Sequence, residues 1–370
     1  MKLTLLQENL NKTLSIVTKA IPSKPSLPIL SSIKLSAEGT TCTACATDLY
    51  FGVDTKIIAN VEETGSVVIP GKQFKEIIGS LSPGVITIEL QEGTLSIRAG
   101  KSITKLQCQS SEDYPPFPEV TGTEVEIQTE LLSNIEALVA FAASSDVARP
   151  VLTSILFDIE EAKPRVVATD GFRLAVLEVP GGIKTEKSLK MLLPAKAVIE
   201  VARLAQLQDK KSILCTVSEE LKQVLFTIGD VLIYVRLIEG TYPPYEKIMP
   251  STYTTAVEID QDELQAHMKR ALVFARESSN IIKFSIQENT VQLGATSALV
   301  GTYEGVLEQV RVSGDSLEIA FNSKYVQEFL GASKSGQVRM ELTESLKPVV
   351  FTTPDLPLYR YIVMPFKVVT

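Results

Sequence analysis

Three landmarks recur in the same order along the chain, at a spacing of about 125 residues, and this repeat constrains the fold more than any local motif. The first landmark is an amphipathic helix, indicated by apolar residues at every third or fourth position. Its apolar positions are Leu6, Leu10, Leu14, Val17 and Ile21, then Leu131, Ile135, Leu138 and Ala142, then Leu264, Met268, Leu272 and Ala275. The period is too long for a solenoid, and each unit is long enough to bury its own core.

The other landmarks are a strand ending in Ala-Thr and a strand that leads through Pro or Asn into a second helix. Pro at a helix start loses no hydrogen bond, and Asn can cap a helix. The strand endings are Ala46-Thr47, Ala168-Thr169 and Ala295-Thr296, the junctions are Pro70, Pro194 and Asn322, and Tyr114-Pro115-Pro116 and Tyr242-Pro243-Pro244 close the first two units. Successive prolines end both ladders and helices, so these two closing runs predict extended linkers.

The rest of the sequence has the patterns of β-strands, and hairpins are expected over residues 85–98, 212–228 and 338–351. The pattern predicts an α+β fold of three homologous domains, each with two helices and antiparallel sheets. The expected domains are residues 1–121, 122–250 and 251–370.

Composition bounds the class of protein. Of the 370 residues, 45% are hydrophobic and 22% charged, with a net charge of -8, so the chain is globular and does not attract nucleic acid as a whole. The net charge does not exclude a localised basic surface. No apolar run approaches the roughly 20 residues of a membrane span, and the N-terminus lacks a signal-peptide pattern, so we expect a cytoplasmic protein.

The sequence contains only weak signals for a catalytic or metal site. Cys42-Thr43-Ala44-Cys45 has the spacing of a redox pair, but it lies in a predicted strand, and no second pair completes a zinc site. His267 is the only histidine, and the other repeats have no equivalent. We therefore expect no catalytic residues, no metal and no cofactor. A thiol oxidoreductase that uses Cys42 and Cys45 is the enzymatic alternative.

Two further sequence stretches carry a resemblance to a known family. They are Ala168-Thr169-Asp170-Gly171-Phe172-Arg173-Leu174-Ala175-Val176 and Tyr361-Ile362-Val363-Met364-Pro365-Phe366. With the threefold repeat, the whole chain resembles the bacterial DNA polymerase III beta subunit, the replicative sliding clamp. The resemblance implies a non-catalytic, ring-shaped processivity factor, in which two chains join head to tail and six domains encircle duplex DNA. A multi-domain scaffold that does not touch DNA is the remaining alternative.

The resemblance also implies two surfaces. Cations on or beside the repeated helices are expected to contact DNA without reading its sequence: Lys24, Lys72, Arg149, Lys196, Arg203 and Lys324. Acidic residues share these helices, so the alternative is an ordinary solvated face. A hydrophobic cleft is expected to bind Gln-Leu-type segments of DNA polymerase III, the clamp loader and repair polymerases. Its expected residues are Leu152, Thr169, Gly171, Phe172, Arg173, Leu174, Pro243, Lys247, Ile248, Pro348, Ile362, Val363 and Met364. The alternative for Leu174 and Val363 is that they are ordinary strand residues facing the core.

Overall fold

The structure is a computed structural model that describes residues 1–159, 163–277 and 279–367. The α-helices are α1 (Gln7–Val17), α2 (Gly71–Ser80), α3 (Thr129–Leu138), α4 (Ala195–Leu207), α5 (Gln261–Ala275) and α6 (Ser323–Ser333). The strands of the first repeat are β1 (Lys2–Leu6), β2 (Ser32–Glu38), β3 (Thr41–Thr47), β4 (Phe51–Ile58), β5 (Asn60–Glu63), β6 (Gly65–Pro70), β7 (Val85–Gln91), β8 (Thr94–Ala99) and β9 (Ser102–Gln107). Those of the second are β10 (Thr123–Gln128), β11 (Ser154–Ile159), β12 (Arg165–Thr169), β13 (Arg173–Glu178), β14 (Ile183–Thr185), β15 (Leu189–Pro194), β16 (Ser212–Ser218), β17 (Gln223–Ile228) and β18 (Val231–Arg236). Those of the third are β19 (Thr255–Asp260), β20 (Ile281–Gln287), β21 (Thr290–Ser297), β22 (Gly301–Leu307), β23 (Val310–Gly314), β24 (Leu317–Asn322), β25 (Gln337–Leu342), β26 (Val349–Thr352) and β27 (Tyr359–Val363).

The chain divides into two compact units. The first comprises Met1–Thr129 and Arg203–Leu237, and the second comprises the described residues of Glu130–Ala202 and those from Ile238 onward. All strand pairs within these units are antiparallel, as the hairpin signals predict.

In the first unit, one sheet has the strand order β5-β1-β7-β8-β9, and a second contains β10-β16-β17-β18-β4-β3-β2-β6. Helix α1 packs on α2 and on β4, and it buries Leu10, Leu14 and Val17. The expected apolar face is one turn too long at its start, because Leu6 is the exposed last residue of β1 and α1 begins at Gln7. It is also interrupted near its end by a 3₁₀ turn at Thr18–Ala20.

In the second unit, a nine-stranded sheet has the order β15-β11-β12-β13-β27-β26-β25-β19-β23, and a four-stranded sheet has the order β22-β21-β20-β24. Helix α5 packs on α6 and on β21 and β22. Asp260 caps α5 by accepting a hydrogen bond from the Glu263 N–H at 2.9 Å, and Asn322 caps α6 by accepting one from the Lys324 N–H at 3.0 Å. The Asn322 junction therefore begins a helix as predicted.

The compact units do not coincide with the sequence repeats. In the first unit, β18 of the second repeat pairs with β4 of the first, with Val235 opposite Phe51. In the second unit, β13 of the second repeat pairs with β27 of the third, with Leu174 opposite Ile362. Sheets thus continue from one repeat into the next, because backbone hydrogen bonds join strands of different repeats.

Candidate functional site

A cavity of about 490 Å³ opens on the nine-stranded sheet where β13 and β27 lie side by side. Leu174 and Ile362, opposite each other across these strands and almost fully buried, form its floor. Ile248, Met249 and Met364 belong to its lining as well. We call this cavity the Leu174 pocket. Its floor is apolar, so it favours an apolar side chain over water.

The turn between β12 and β13 shapes one rim of the pocket. The Asp170 carboxylate accepts hydrogen bonds from the Phe172 N–H at 2.9 Å and the Arg173 N–H at 3.1 Å. Gly171 has φ +95°, a conformation that a residue with a side chain rarely adopts. This tight turn leaves the Phe172 side chain 50% exposed at the rim.

The C-terminal segment is fixed to the same turn. The Met364 N–H donates to the Phe172 carbonyl oxygen at 2.8 Å. Because both residues line the Leu174 pocket, this hydrogen bond holds two of its walls together.

Arg173 fixes the turn by several side-chain contacts, and it also belongs to the pocket lining. Its side chain is 6% exposed, and its guanidinium donates to the Asp170 carboxylate at 3.1 Å, to the Phe141 carbonyl oxygen at 2.5 Å, and to the Glu328 carboxylate. The charge also lies over the Phe141 and Tyr325 rings, 5.4 Å and 4.8 Å from their centroids. Through these contacts Arg173 supports the pocket that it lines.

A buried tyrosine completes this support. The Tyr361 hydroxyl donates to the Tyr325 carbonyl oxygen at 3.1 Å, and burial raises the pKa of Tyr361. The hydroxyl is therefore a stable neutral donor that ties β27 to α6.

Most residues expected from the sequence lie together in this lining. They are Thr169, Gly171, Phe172, Arg173, Leu174, Lys247, Ile248, Pro348, Ile362 and Met364. Three others lie outside it: Val363 is fully buried in β27, Leu152 lies in the 3₁₀ helix Pro150–Thr153, and Pro243 is partly buried in the connection before β19. The lining also contains four residues that were not predicted from the sequence: Met249, Pro250, Thr343 and Lys347. Their only sequence signal is that they adjoin or lie near Ile248 and Pro348.

The predicted DNA-contacting cations are all exposed, and three of them share a structural position. Lys72, Lys196 and Lys324 are each the second residue of the second helix of their repeat, in α2, α4 and α6. The start of a helix carries a partial positive charge, so a cation there is unfavourable unless an anion binds nearby. Lys24 lies in the loop after α1, and Arg203 lies within α4.

Arg149 lies in the connection before the 3₁₀ helix Pro150–Thr153. Its guanidinium donates to the Asp146 carboxylate at 3.0 Å and to the Asp170 carbonyl oxygen at 3.3 Å. It therefore braces the turn that shapes the Leu174 pocket.

The Cys42 and Cys45 thiols are placed badly for redox chemistry. They are three residues apart in β3, and side chains alternate along a strand, so the two thiols project to opposite faces. Burial raises the pKa of both thiols to about 12. Protonated thiols are poor nucleophiles, so this arrangement argues against the thiol oxidoreductase.

Metal-ligand clusters and membrane-spanning helices are both absent from the described residues. No group of three or more His, Cys, Asp or Glu side chains in this part of the chain could hold a metal ion. No helix in residues 1–159, 163–277 and 279–367 has the length and apolar character needed to cross a membrane.

Comparisons with known proteins cover the whole chain. Models of the DNA polymerase III beta subunit match in order: its N-terminal domain over residues 1–118, its central domain over 126–244 and its C-terminal domain over 246–367. The chain is 31% identical over 361 residues to the beta sliding clamp of Staphylococcus aureus, which covers 95% of each chain. It is similar to the crystal structure of the DNA polymerase III beta subunit from Thermotoga maritima, with a TM-score of 0.92, 27% identity and 100% of both chains covered. A sliding clamp from Pseudomonas aeruginosa, crystallised bound to griselimycin, is similar with a TM-score of 0.92, 26% identity and 100% coverage of both chains.

Proposed function

The chain belongs to the DNA polymerase III beta subunit family and acts as a DNA sliding clamp, and on this premise we propose that partner proteins dock short segments in the Leu174 pocket. The observation that carries the proposal is the pocket itself, whose apolar floor is held by β13 and β27 and whose rim carries the half-exposed Phe172. A Gln-Leu-type segment offers an apolar side chain for the floor and backbone groups for the rim. That a Pseudomonas aeruginosa clamp was crystallised bound to griselimycin supports a ligand site on such a clamp.

The expected occupants are segments of DNA polymerase III, the clamp loader and repair polymerases. Met249 and Met364 in the lining suit several partners, because the methionine side chain adapts to different shapes. The exposed Lys247 and Lys347 give the opening a positive charge.

The test uses Ile248, because Leu174 belongs to a buried cluster and its replacement would also change stability. We expect Ile248→Lys to weaken binding of a fluorescent Gln-Leu peptide by about tenfold, since a charge replaces an apolar wall. The matched control is Leu221→Lys, because Leu221 is exposed to a similar degree and lies in a turn after β16. Equal peptide affinity in wild type and both variants would remove the pocket from this site.

We also propose that Lys24, Lys72, Arg149, Lys196, Arg203 and Lys324 contact the DNA backbone. The repeated lysines at the starts of α2, α4 and α6 support this most strongly, because a phosphate would turn an unfavourable cation into a favourable one. Arg149 has the weakest support, since Asp146 already pairs with it. Retention on nicked circular DNA with release on linearisation tests the encircling mode, and equal retention on both would contradict it.

We further propose that two chains assemble head to tail. Within the chain, the strand that follows the Ala-Thr ending pairs with the last strand of the next repeat, as β4 does with β18 and β13 with β27. By the same rule, β22 of the third repeat should pair with β9 of a first repeat, and both are edge strands of their own sheets. Pairing β22 of one chain with β9 of another satisfies their free backbone groups and closes a ring of six domains.

The remaining proposals concern organisation. We place the domain boundaries at residues 121 and 250. The first lies in the gap between the matched ranges 1–118 and 126–244, and the second lies a few residues inside the matched range 246–367. We propose a cytoplasmic protein without catalysis of its own, in which tethering alone raises the processivity of the polymerase.

A further inference from the structure

A second cavity, of about 390 Å³, lies beside the Leu174 pocket on the same sheet. The two cavities share Met249, Pro250 and Ile362 in their linings. The rest of the second lining comes from residues 251–253, from β19, β25, β26 and β27, and from the turn after β26. We call it the Arg360 pocket.

The two carboxylates of the Arg360 pocket are already neutralised. Arg339 donates to Glu258 at 2.8 Å and to Glu341 at 3.0 Å, and its remaining Nη donates to the Tyr253 hydroxyl at 3.0 Å. Glu258 faces Arg311 with its other oxygen, at 3.6 Å. Neither carboxylate is left to pair with a second cation in the lining.

Arg360 is that second cation. It is exposed on β27, and within the described part of the chain its side chain has no hydrogen-bond or ion-pair partner. The Thr353 hydroxyl in the same lining is buried and also has no partner among the described residues. Val350 and Pro354 add apolar surface. A cation, an unpaired hydroxyl and an apolar wall together favour a carboxylate carried on a chain with apolar groups.

We propose that the Arg360 pocket binds an acidic side chain that flanks the apolar anchor of a partner segment seated in the Leu174 pocket. The proposal rests on the function proposed above. It is supported by the adjacency of the two cavities, since Met249, Pro250 and Ile362 line both and an extended segment advances about 3.3 Å per residue. A few residues of one segment therefore span both pockets, and Arg360 selects partners that carry an acid at the right distance.

The experiment compares three fluorescent peptides by anisotropy on the full-length protein. All carry the same Gln-Leu core; one has Asn residues at both flanks, one has Asp at the N-terminal flank, and one has Asp at the C-terminal flank. The measured quantity is the affinity ratio of each Asp peptide to the Asn peptide, in wild type and in Arg360→Gln. The control variant is Arg270→Gln, because Arg270 is an exposed arginine on α5 that lines neither pocket.

We expect one Asp peptide to bind wild type and Arg270→Gln about three- to fivefold more tightly than the Asn peptide, as for a solvent-accessible ion pair. Arg360→Gln should bring this ratio to about one, and Arg360→Lys should keep part of it. Ratios that are equal in wild type and Arg360→Gln would overturn the inference while leaving the Leu174 pocket intact. Failure of all three peptides to bind wild type would instead contradict the proposed docking site.

Discussion

Replacing the three lysines at the helix starts should weaken DNA binding and stabilise the fold at the same time. Lys72, Lys196 and Lys324 are exposed in the first turns of α2, α4 and α6, where the helix dipole disfavours a cation. Relief of that repulsion in Lys72→Gln/Lys196→Gln/Lys324→Gln is worth about 0.3 to 1 kcal/mol for each helix. Lysines that served only to solvate the surface would give the same stabilisation and no change in DNA affinity.

The expected change in the salt dependence of DNA binding follows from counterion release. Each lost phosphate contact makes the slope of log K against log salt shallower by about 0.9, so six contacts in a ring of two chains amount to about 5. Urea unfolding gives the stability, and binding to a labelled duplex over a series of NaCl concentrations gives the slope. The control removes the same charge from exposed turn and loop positions, as Lys187→Gln/Lys210→Gln/Lys222→Gln. A salt slope equal to that of the wild type, or to that of this control, would refute the assignment of these lysines to phosphate contact.

Three further predictions concern the thiols, the pocket support and the ring. The Cys42 and Cys45 thiols should resist a thiol reagent in the folded protein. The pKa of each thiol is about 12 in the folded protein and 9.0 when free, so the folded state is favoured in full below pH 9. Between pH 9 and 12 the free energy of unfolding should fall by about 1.4 kcal/mol per pH unit for each thiol. Cys42→Ala should reduce this slope in urea unfolding measured over a series of pH values. Arg173→Gln leaves the Asp170 and Glu328 carboxylates without their partner, so it should cost about 3 to 5 kcal/mol of unfolding free energy and weaken peptide binding; an unchanged urea midpoint would contradict the role of Arg173 as a support. Val306 is half exposed on β22, so Val306→Asp should weaken dimerisation about tenfold or more in sedimentation without lowering the thermal midpoint, and an undisturbed dimer would exclude this edge from the interface.

Local patterns in the sequence were sufficient for the elements and their repetition. Leu10, Leu14 and Val17 recur at helical spacing and are buried on one face of α1, and the three hairpins pair as their alternation and turn residues predict. These features depend on neighbours a few residues apart, which the sequence lists directly. The resemblance to a family then supplied most of the lining of the Leu174 pocket.

The tertiary structure decided what lies together across long separations. The guanidinium of Arg173 contacts Glu328, 155 residues away, and this contact makes Arg173 a support of the pocket that it also lines. The Arg360 pocket likewise depends on Glu258 and Glu341 both pairing with Arg339, so that the cation on β27 is left without a carboxylate. Periodicity carries no information about such pairings, because the register of sheets that run across repeats is fixed by backbone hydrogen bonds between distant strands, as between β4 and β18.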